Sequence, residues 1–308
     1  MLRCLRPCLS GFIPFVFIYF LASNAVLEAE EKVLIFGRVQ DDPVKAIRDR
    51  QGFVDYIAQK LAPLGITAGK IVVVDKMSLL AQAIKEGKVD LFHDSVVPTM
   101  VLSKWSGSIP LFRQWKYGEA EYYSIILVKK DSGVKSLADL KGKVIAFDEP
   151  HSTSAHILPR MLLAEEKLKL VHIISPDRRG KPDVVSYVHT SDGNSSRLLV
   201  AGQVDAAATS ERELKELRPE IQDRLKVIAR SQSVPRLLIS IRKDLDPKVV
   251  AALRGILVNM DKDPGGHVAM KKQQKTTKID EVPAGSLKQL KDIERFVFST
   301  LGKQVDSW

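Results

Sequence analysis

Residues 137–160 read LADLKGKVIAFDEPHSTSAHILPR. Within them, residues 143–147 (KVIAF) form a short apolar run that predicts a strand. From Ser152 onward, Ile157, Leu158, Met161 and Leu162 predict a helix. Pro159 counts against that helix, because an interior proline costs about 3 kcal/mol. The strand leads through Asp148-Glu149-Pro150-His151 into Ser152-Thr153-Ser154, which places three consecutive hydroxyls at a helix start. A helix start leaves about four backbone N–H groups unpaired. It also presents the positive end of the macrodipole. The oxygens of a small oxyanion suit such a place. The same hydroxyls suit an ordinary N-cap, and both roles stay open on these residues alone.

Upstream, residues 32–37 (KVLIFG) read as a buried strand. Pro43 then precedes Val44, Ile47, Val54, Ile57 and Leu61, a helix or a turn and a helix broken near Gly52. Residues 71–74 form a strand, residues 79–85 a short amphipathic helix ended by Gly87, and residues 89–92 a third strand. This β-α-β-α-β order calls for a mostly parallel sheet with helices on its faces. The pattern then restarts. Strands are expected at 123–129, 143–147, 183–188, 204–208, 225–229 and 237–241, and a helix at 195–200 stopped by Gly202. Helical stretches near 247–260, 266–272 and 286–301 close the chain. No long flexible linker separates the two α/β units, which favours two packed lobes.

The N-terminus reads as a targeting segment. Arg3 and Arg6 precede the uncharged apolar run 11–22 (GFIPFVFIYFLA), and Ser23-Asn24-Ala25 supplies small residues for cleavage. Residues 1–25 are therefore expected to be a secretory signal peptide. A retained membrane anchor is the alternative, although the run falls short of the roughly 20 residues that span a bilayer. Cys4 and Cys8 both lie in this leader. The processed chain would have no disulfide, no thiolate metal ligand and no cysteine nucleophile. Removing two of the 47 basic residues leaves 45 against 37 acidic ones, a formal charge of +8. That charge fits an anionic ligand, an anionic membrane surface or nucleic acid. The basic residues are scattered, and no nucleic-acid signature accompanies them. There is no GxSxG, HExxH or Walker sequence, so no catalytic residue is expected. The six histidines lack the short spacing of a zinc site, so neither metal nor cofactor is expected.

The stretch 137–160 resembles the phosphate/phosphite/phosphonate-binding family of periplasmic solute-binding proteins that serve ABC importers. Three other stretches share the resemblance: 122–132 (YYSIILVKKDS), 202–207 (GQVDAA) and 231–235 (SQSVP). DLKGK alone is common to many solute-binding proteins. Joined to a strand, an STS helix start and GxVDAA about 50 residues later, it becomes specific. The resemblance implies an α/β periplasmic binding protein type II fold, two α/β lobes joined by a two-crossing hinge. Lobe one is expected at 31–121 and 234–308, and lobe two at 122–233. It implies an exported, monomeric binding protein with a small phosphorus oxyanion as ligand and an ABC permease as partner. A ligand sensor for a membrane receptor kinase or chemoreceptor would share the fold. A binder of another solute, such as a thiamine-precursor pyrimidine, would do so as well.

Ser152, Thr153 and Ser154 occupy the family's oxyanion-gripping motif. Ala155 stands where the family commonly has glycine, and its N–H is expected to stay available. On the opposing side, Asp94 and Ser95 follow a lobe-one strand, at the strand ends where open α/β sheets bind ligands. Asp94 would accept a hydrogen bond from a protonated oxyanion or from an amine on an aminoalkyl phosphonate, and Ser95 would donate one. Of Tyr122 and Tyr123, which alternate across a strand, Tyr122 is expected to face the cleft and Tyr123 the core. Asp192 and Asn194 are candidates for the ligand's variable substituent, because His189 does not register with the family's histidine-aspartate pair. Asp205, in GQVDAA, would contact a protonated oxygen or hold the cleft geometry. Arg113, Trp115 and Lys116 are equally open to an anion-binding role and to solvated surface charge.

Overall fold

The structure, a computed structural model, describes residues 32–177, 181–191 and 193–308. The expected signal peptide, residues 1–25, lies outside the described residues.

The first half opens with β1 (Lys32–Val39), α1 (Pro43–Lys60), β2 (Ile66–Val74), α2 (Met77–Lys85) and β3 (Leu91–Asp94). α1 starts on an Asp42 side chain that accepts from Lys45 N, with Pro43 in its first turn. It runs unbroken through Gly52, which faces solvent, because Phe53, Val54 and Ile57 beside it are buried. Burying those three side chains outweighs the roughly 1 kcal/mol that a helical glycine costs. α3 (Val96–Ser106) and β4 (Ile109–Lys116) follow, neither of which the apolar spacing announces. α3 is buried on nearly every side, so it lacks the one-sided stripe that marks a surface helix. Its Pro98 lies in the first turn, where the missing N–H costs no helix bond.

β5 (Glu121–Tyr122) then leads away, and β6 (Ser124–Lys129) and β7 (Val144–Phe147) begin a second sheet. α4 (Leu158–Glu165), β8 (Leu170–His172), β9 (Val185–His189) and α5 (Ser195–Ala201) come next. β10 (Ala206–Ser210), α6 (Glu211–Glu216), α7 (Pro219–Gln222) and β11 (Leu225–Arg230) complete that half. β12 (Val234–Pro235) returns the chain, pairing antiparallel with β5. β13 (Leu237–Ile241), α8 (Pro247–Val258), α9 (Pro264–Lys272), β14 (Thr276–Glu281) and α10 (Ser286–Leu301) rejoin the first half.

The first sheet has six strands in the order β14-β4-β13-β3-β1-β2, and the second six in the order β11-β6-β10-β7-β9-β8. The expectation of a mostly parallel first sheet needs correction. Only β2, β1 and β3 run parallel there, while β13, β4 and β14 pair antiparallel. β4 follows β3 through the α3 crossover and runs in its direction, whereas β13 arrives from the crossing strand β12 and inserts antiparallel between them. In the second sheet β8, β9, β7 and β10 are parallel, and β6 and β11 antiparallel.

Each sheet buries apolar side chains on both faces. One of these clusters joins the halves: Ile157 and Leu158 pack with Val96, Val97 and Met100 of α3 and with Tyr122. The parallel strands β1, β3 and β7 thus bring their C-terminal ends to the junction of the two halves.

Candidate functional site

The segment after β7 does not begin as an α-helix. Thr153–Ile157 form a π turn, and α4 starts only at Leu158. The first bond of the turn runs from Ile157 N–H to the Ser152 carbonyl at 3.0 Å. This start removes the objection raised by Pro159, which falls in the first turn of α4 and forfeits no helix bond there. An i→i+5 start also leaves one more N–H without a carbonyl acceptor in its own turn than an α-helical start would. Those groups belong to Thr153, Ser154, Ala155 and His156.

Ser152 serves as the cap, its Oγ accepting from Ala155 N at 3.2 Å. The Ala155 N–H is therefore already engaged, contrary to the expectation that it stays available. The Thr153 hydroxyl reaches across the junction. It accepts from Val97 N at 2.9 Å and donates to Ser95 Oγ at 3.1 Å. Ser95 is the N-cap residue of α3 yet makes no side-chain cap bond of its own. Thr153 supplies that cap from the other half of the molecule. Two helix starts thus face each other, and both positive macrodipole ends converge on Ser95 and Thr153.

Tyr122 closes one side. It is buried, and the Thr153 and Ser154 hydroxyls lie near its own and hold back the rise of its phenol. Burial pushes its phenol up, so it stays neutral and can donate. The expectation from strand alternation that Tyr123 lies in the core needs correction, because its side chain is only partly buried and reaches the surface. Its hydroxyl accepts from Arg230, which also pairs with Glu211 on the second half's surface.

Asp94 is placed beside Ser95, but both its oxygens are engaged. Oδ1 accepts from Ser95 N at 2.7 Å, and Oδ2 pairs with Arg38 Nη1 at 2.7 Å. Arg38, at the end of β1, neutralises the carboxylate that was expected to select a protonated ligand. Asp205 lies elsewhere. Its carboxylate accepts from Val144 N at 2.8 Å, at the start of β7 and so at the opposite end of the strand from Ser152. It ties β10 to β7 and does not face the helix starts. Asn194 closes on its own loop, its amide donating to Ser191 Oγ and accepting from Arg197. Asp192 lies outside the described residues. Asp148 clamps that loop to β7 by accepting from Thr190 Oγ1, Gly193 N and Ser195 N. Burial raises its carboxyl, and those bonds oppose the rise.

Arg113 is taken up by Asp280 and Glu121, at 2.7 and 2.8 Å, and Trp115 stacks with Arg113 and Lys278. These residues brace β4, β14 and the crossing strands. Behind the π turn, His156 donates from Nδ1 to the Pro150 carbonyl at 2.5 Å and accepts from Arg160 at 3.2 Å. Burial lowers its ring to about 3, so it is a neutral strut for the loop that carries Ser152.

Three charged side chains at the junction escaped the sequence reading. Arg38 and Arg236 are half-buried, and Arg236 lies over the Tyr122 ring at 4.3 Å. Glu213 completes a capping box with Ser210 and also accepts from Thr209, and its charge is felt at Tyr122. Two signals were available: the Ser-x-x-Glu spacing after GQVDAA, and the position of Arg236 directly after SQSVP.

Comparison with known proteins extends this picture. A family model described as "ABC transporter, phosphonate, periplasmic substrate-binding protein" matches residues 39–283. The phosphonates-binding periplasmic protein of Escherichia coli (strain K12) is 23% identical over 252 residues, which cover 79% of this chain and 71% of that one. XAC2383 from Xanthomonas citri, solved with chloride ion, superposes with a TM-score of 0.79 at 24% identity, covering 89% of this chain and 99% of that one. PhnD1 from Prochlorococcus marinus (MIT 9301), in complex with methylphosphonate, gives a TM-score of 0.61 at 16% identity, covering 86% and 98%. The fold is thus α/β and periplasmic-binding-protein-like, related to type II. Since the family match spans both sheets and both crossings, the chain belongs to the periplasmic substrate-binding proteins of phosphonate ABC transporters, extracytoplasmic receptors that hand a small phosphorus oxyanion to an importer.

Proposed function

We propose that this chain binds a phosphonate, phosphite or phosphate group where the α3 start and the π turn converge. The observation that carries the reading is the Thr153 hydroxyl capping α3 from the other half. A ligand oxygen would take over the Val97 N–H, while Ser152, Thr153, Ser154 and Tyr122 donate to the remaining oxygens. Converging N–H groups recognise charge and oxygen geometry, not phosphorus itself. Selection against sulfate would fall to Glu213, the carboxylate whose charge is felt at Tyr122, in place of Asp94 and Asp205. An ionised carboxylate accepts a hydrogen bond and cannot donate one. A monoprotonated phosphorus oxyanion supplies the proton, and sulfate does not.

Residues 31–121 and 234–308 would form one lobe and 122–233 the other, with β5 and β12 as the hinge. Rotation about two crossings opens the site and closes it over ligand. The leader is cleaved after Ala25 in this reading, and a monomer delivers ligand to the permease. Calorimetry on ligand-stripped protein tests the assignment with phosphate, phosphite, methylphosphonate, 2-aminoethylphosphonate, sulfate and a thiamine-precursor pyrimidine. Binding of at least one phosphorus compound, with sulfate weaker, is expected. Tight pyrimidine binding without any phosphorus response would overturn it.

A further inference from the structure

Among the described residues Arg236 has no acidic partner. It follows β12 directly, at the return crossing, and its guanidinium carbon sits 4.3 Å from the centre of the Tyr122 ring. Among the described residues no carboxylate lies within ion-pair distance of it, and its Nε–H is buried without an acceptor. Arg38 on the other side of the site is different, because Asp94 neutralises it at 2.7 Å. Glu213 does not fill the gap. One of its oxygens already accepts from Thr209 Oγ1, Ser210 N and Ser210 Oγ, as the anchor of the α6 cap.

A stacked guanidinium uses its flat face on the ring and keeps its N–H edge free for a planar or forked acceptor. Five donors on a fixed fork match two oxygens of a carboxylate or phosphoryl group better than they match water. A buried donor left unpaired is costly, so an unfilled edge beside a binding site is informative. Tyr122 sets the spacing. Its hydroxyl lies near those of Thr153 and Ser154, and Arg236 lies over its ring. The guanidinium is therefore one ring's reach from the hydroxyls that would hold the phosphorus oxygens. A substituent one or two bonds away from phosphorus spans that interval.

We infer that the ligand carries a second acidic group and that Arg236 grips it. The substrate class is a phosphorus oxyanion bearing a carboxylate or a further phosphoryl group, rather than a bare alkyl or an amine. This rests on the phosphorus reading of the site and narrows it. A cationic substituent would face an unneutralised guanidinium, and like charges in a closed cleft repel strongly.

The test is calorimetry with methylphosphonate, 2-aminoethylphosphonate and phosphonoacetate on the purified chain and on Arg236→Gln. Phosphonoacetate is expected to bind the unaltered protein at least about tenfold tighter than methylphosphonate, the effect of one charge-assisted contact. 2-Aminoethylphosphonate is expected to bind more weakly than methylphosphonate. Arg236→Gln should bring the phosphonoacetate-to-methylphosphonate ratio close to one. Methylphosphonate binding without a phosphonoacetate preference overturns this inference and leaves the phosphorus reading standing. A preference that survives in folded Arg236→Gln overturns it too. If no phosphorus compound binds, both readings fall. The ratio in the unaltered protein decides the matter even if the variant does not fold.

Discussion

Thr153 makes two contacts that no helix of its own requires, one to Val97 N and one to Ser95 Oγ. Thr153→Val keeps the shape and removes the hydroxyl. Methylphosphonate affinity should fall by about 1.5 to 3 kcal/mol, roughly tenfold to a hundredfold, because the lost donor serves a charged ligand. Thr153→Ser should restore most of it in the same calorimetric assay. A second residue-scale expectation concerns His156. Its ring falls from the ordinary 6.5 to about 3 in the folded chain, chiefly through burial. The unfolded chain therefore binds the proton more readily between those values. Stability from this group is fully present above about 6.5 and is lost as pH falls toward about 3, at about 1.4 kcal/mol per unit. His93 and His189, also lowered by burial, add in the same direction. Urea unfolding of the protein and of His156→Gln across this range should show a shallower pH slope in the variant.

At the scale of elements, the close packing of α1 on β2 depends on a residue without a side chain. A Cβ on Gly69 would stand 2.9 Å from the Val54 carbonyl carbon and 2.7 Å from its Cγ1. The backbone of α1 cannot yield as a side chain can, so Gly69→Ala should destabilise by about 1 to 3 kcal/mol in urea. An unchanged midpoint would show that α1 shifts freely on the sheet. The elements that sequence periodicity announced are those with one exposed face, such as α1, α2 and α10. α3 escaped because it is apolar all round, and β4 because its alternating Arg113 and Trp115 sit in a charged and aromatic brace. β14 escaped for a similar reason: TTKIDE is polar, and its place is fixed by pairing with β4.

For the whole molecule, the two short crossing strands predict a rigid-body closure. Solution scattering with saturating methylphosphonate should show a smaller radius of gyration than the stripped protein. Equal radii would argue against a hinge at β5 and β12. Mass spectrometry of the exported protein should find Val26 at its N-terminus, and a mass retaining residues 1–25 would support an anchor instead.

The strand-turn-hydroxyl run at 143–154 was sufficient by itself to place three hydroxyls at a helix start, and the family resemblance supplied the oxyanion proposed for them. The information in that run is local: a strand end, a helix start and three hydroxyls adjacent in the chain. The α/β class was legible for the same reason, since periodicity is a property of neighbours in sequence. What the tertiary structure alone decided were the partners far apart in the chain. Val97 meets Thr153 over 56 residues, and Arg38 meets Asp94 over a similar separation. Asp205 shows the converse, a residue in a site-like motif whose carboxylate the fold spends on Val144 at the far end of β7. Spacing along a chain reports which residues share a turn or a face. Only the packing of two sheets reports which charges meet, and here it sets the Arg236 guanidinium over Tyr122.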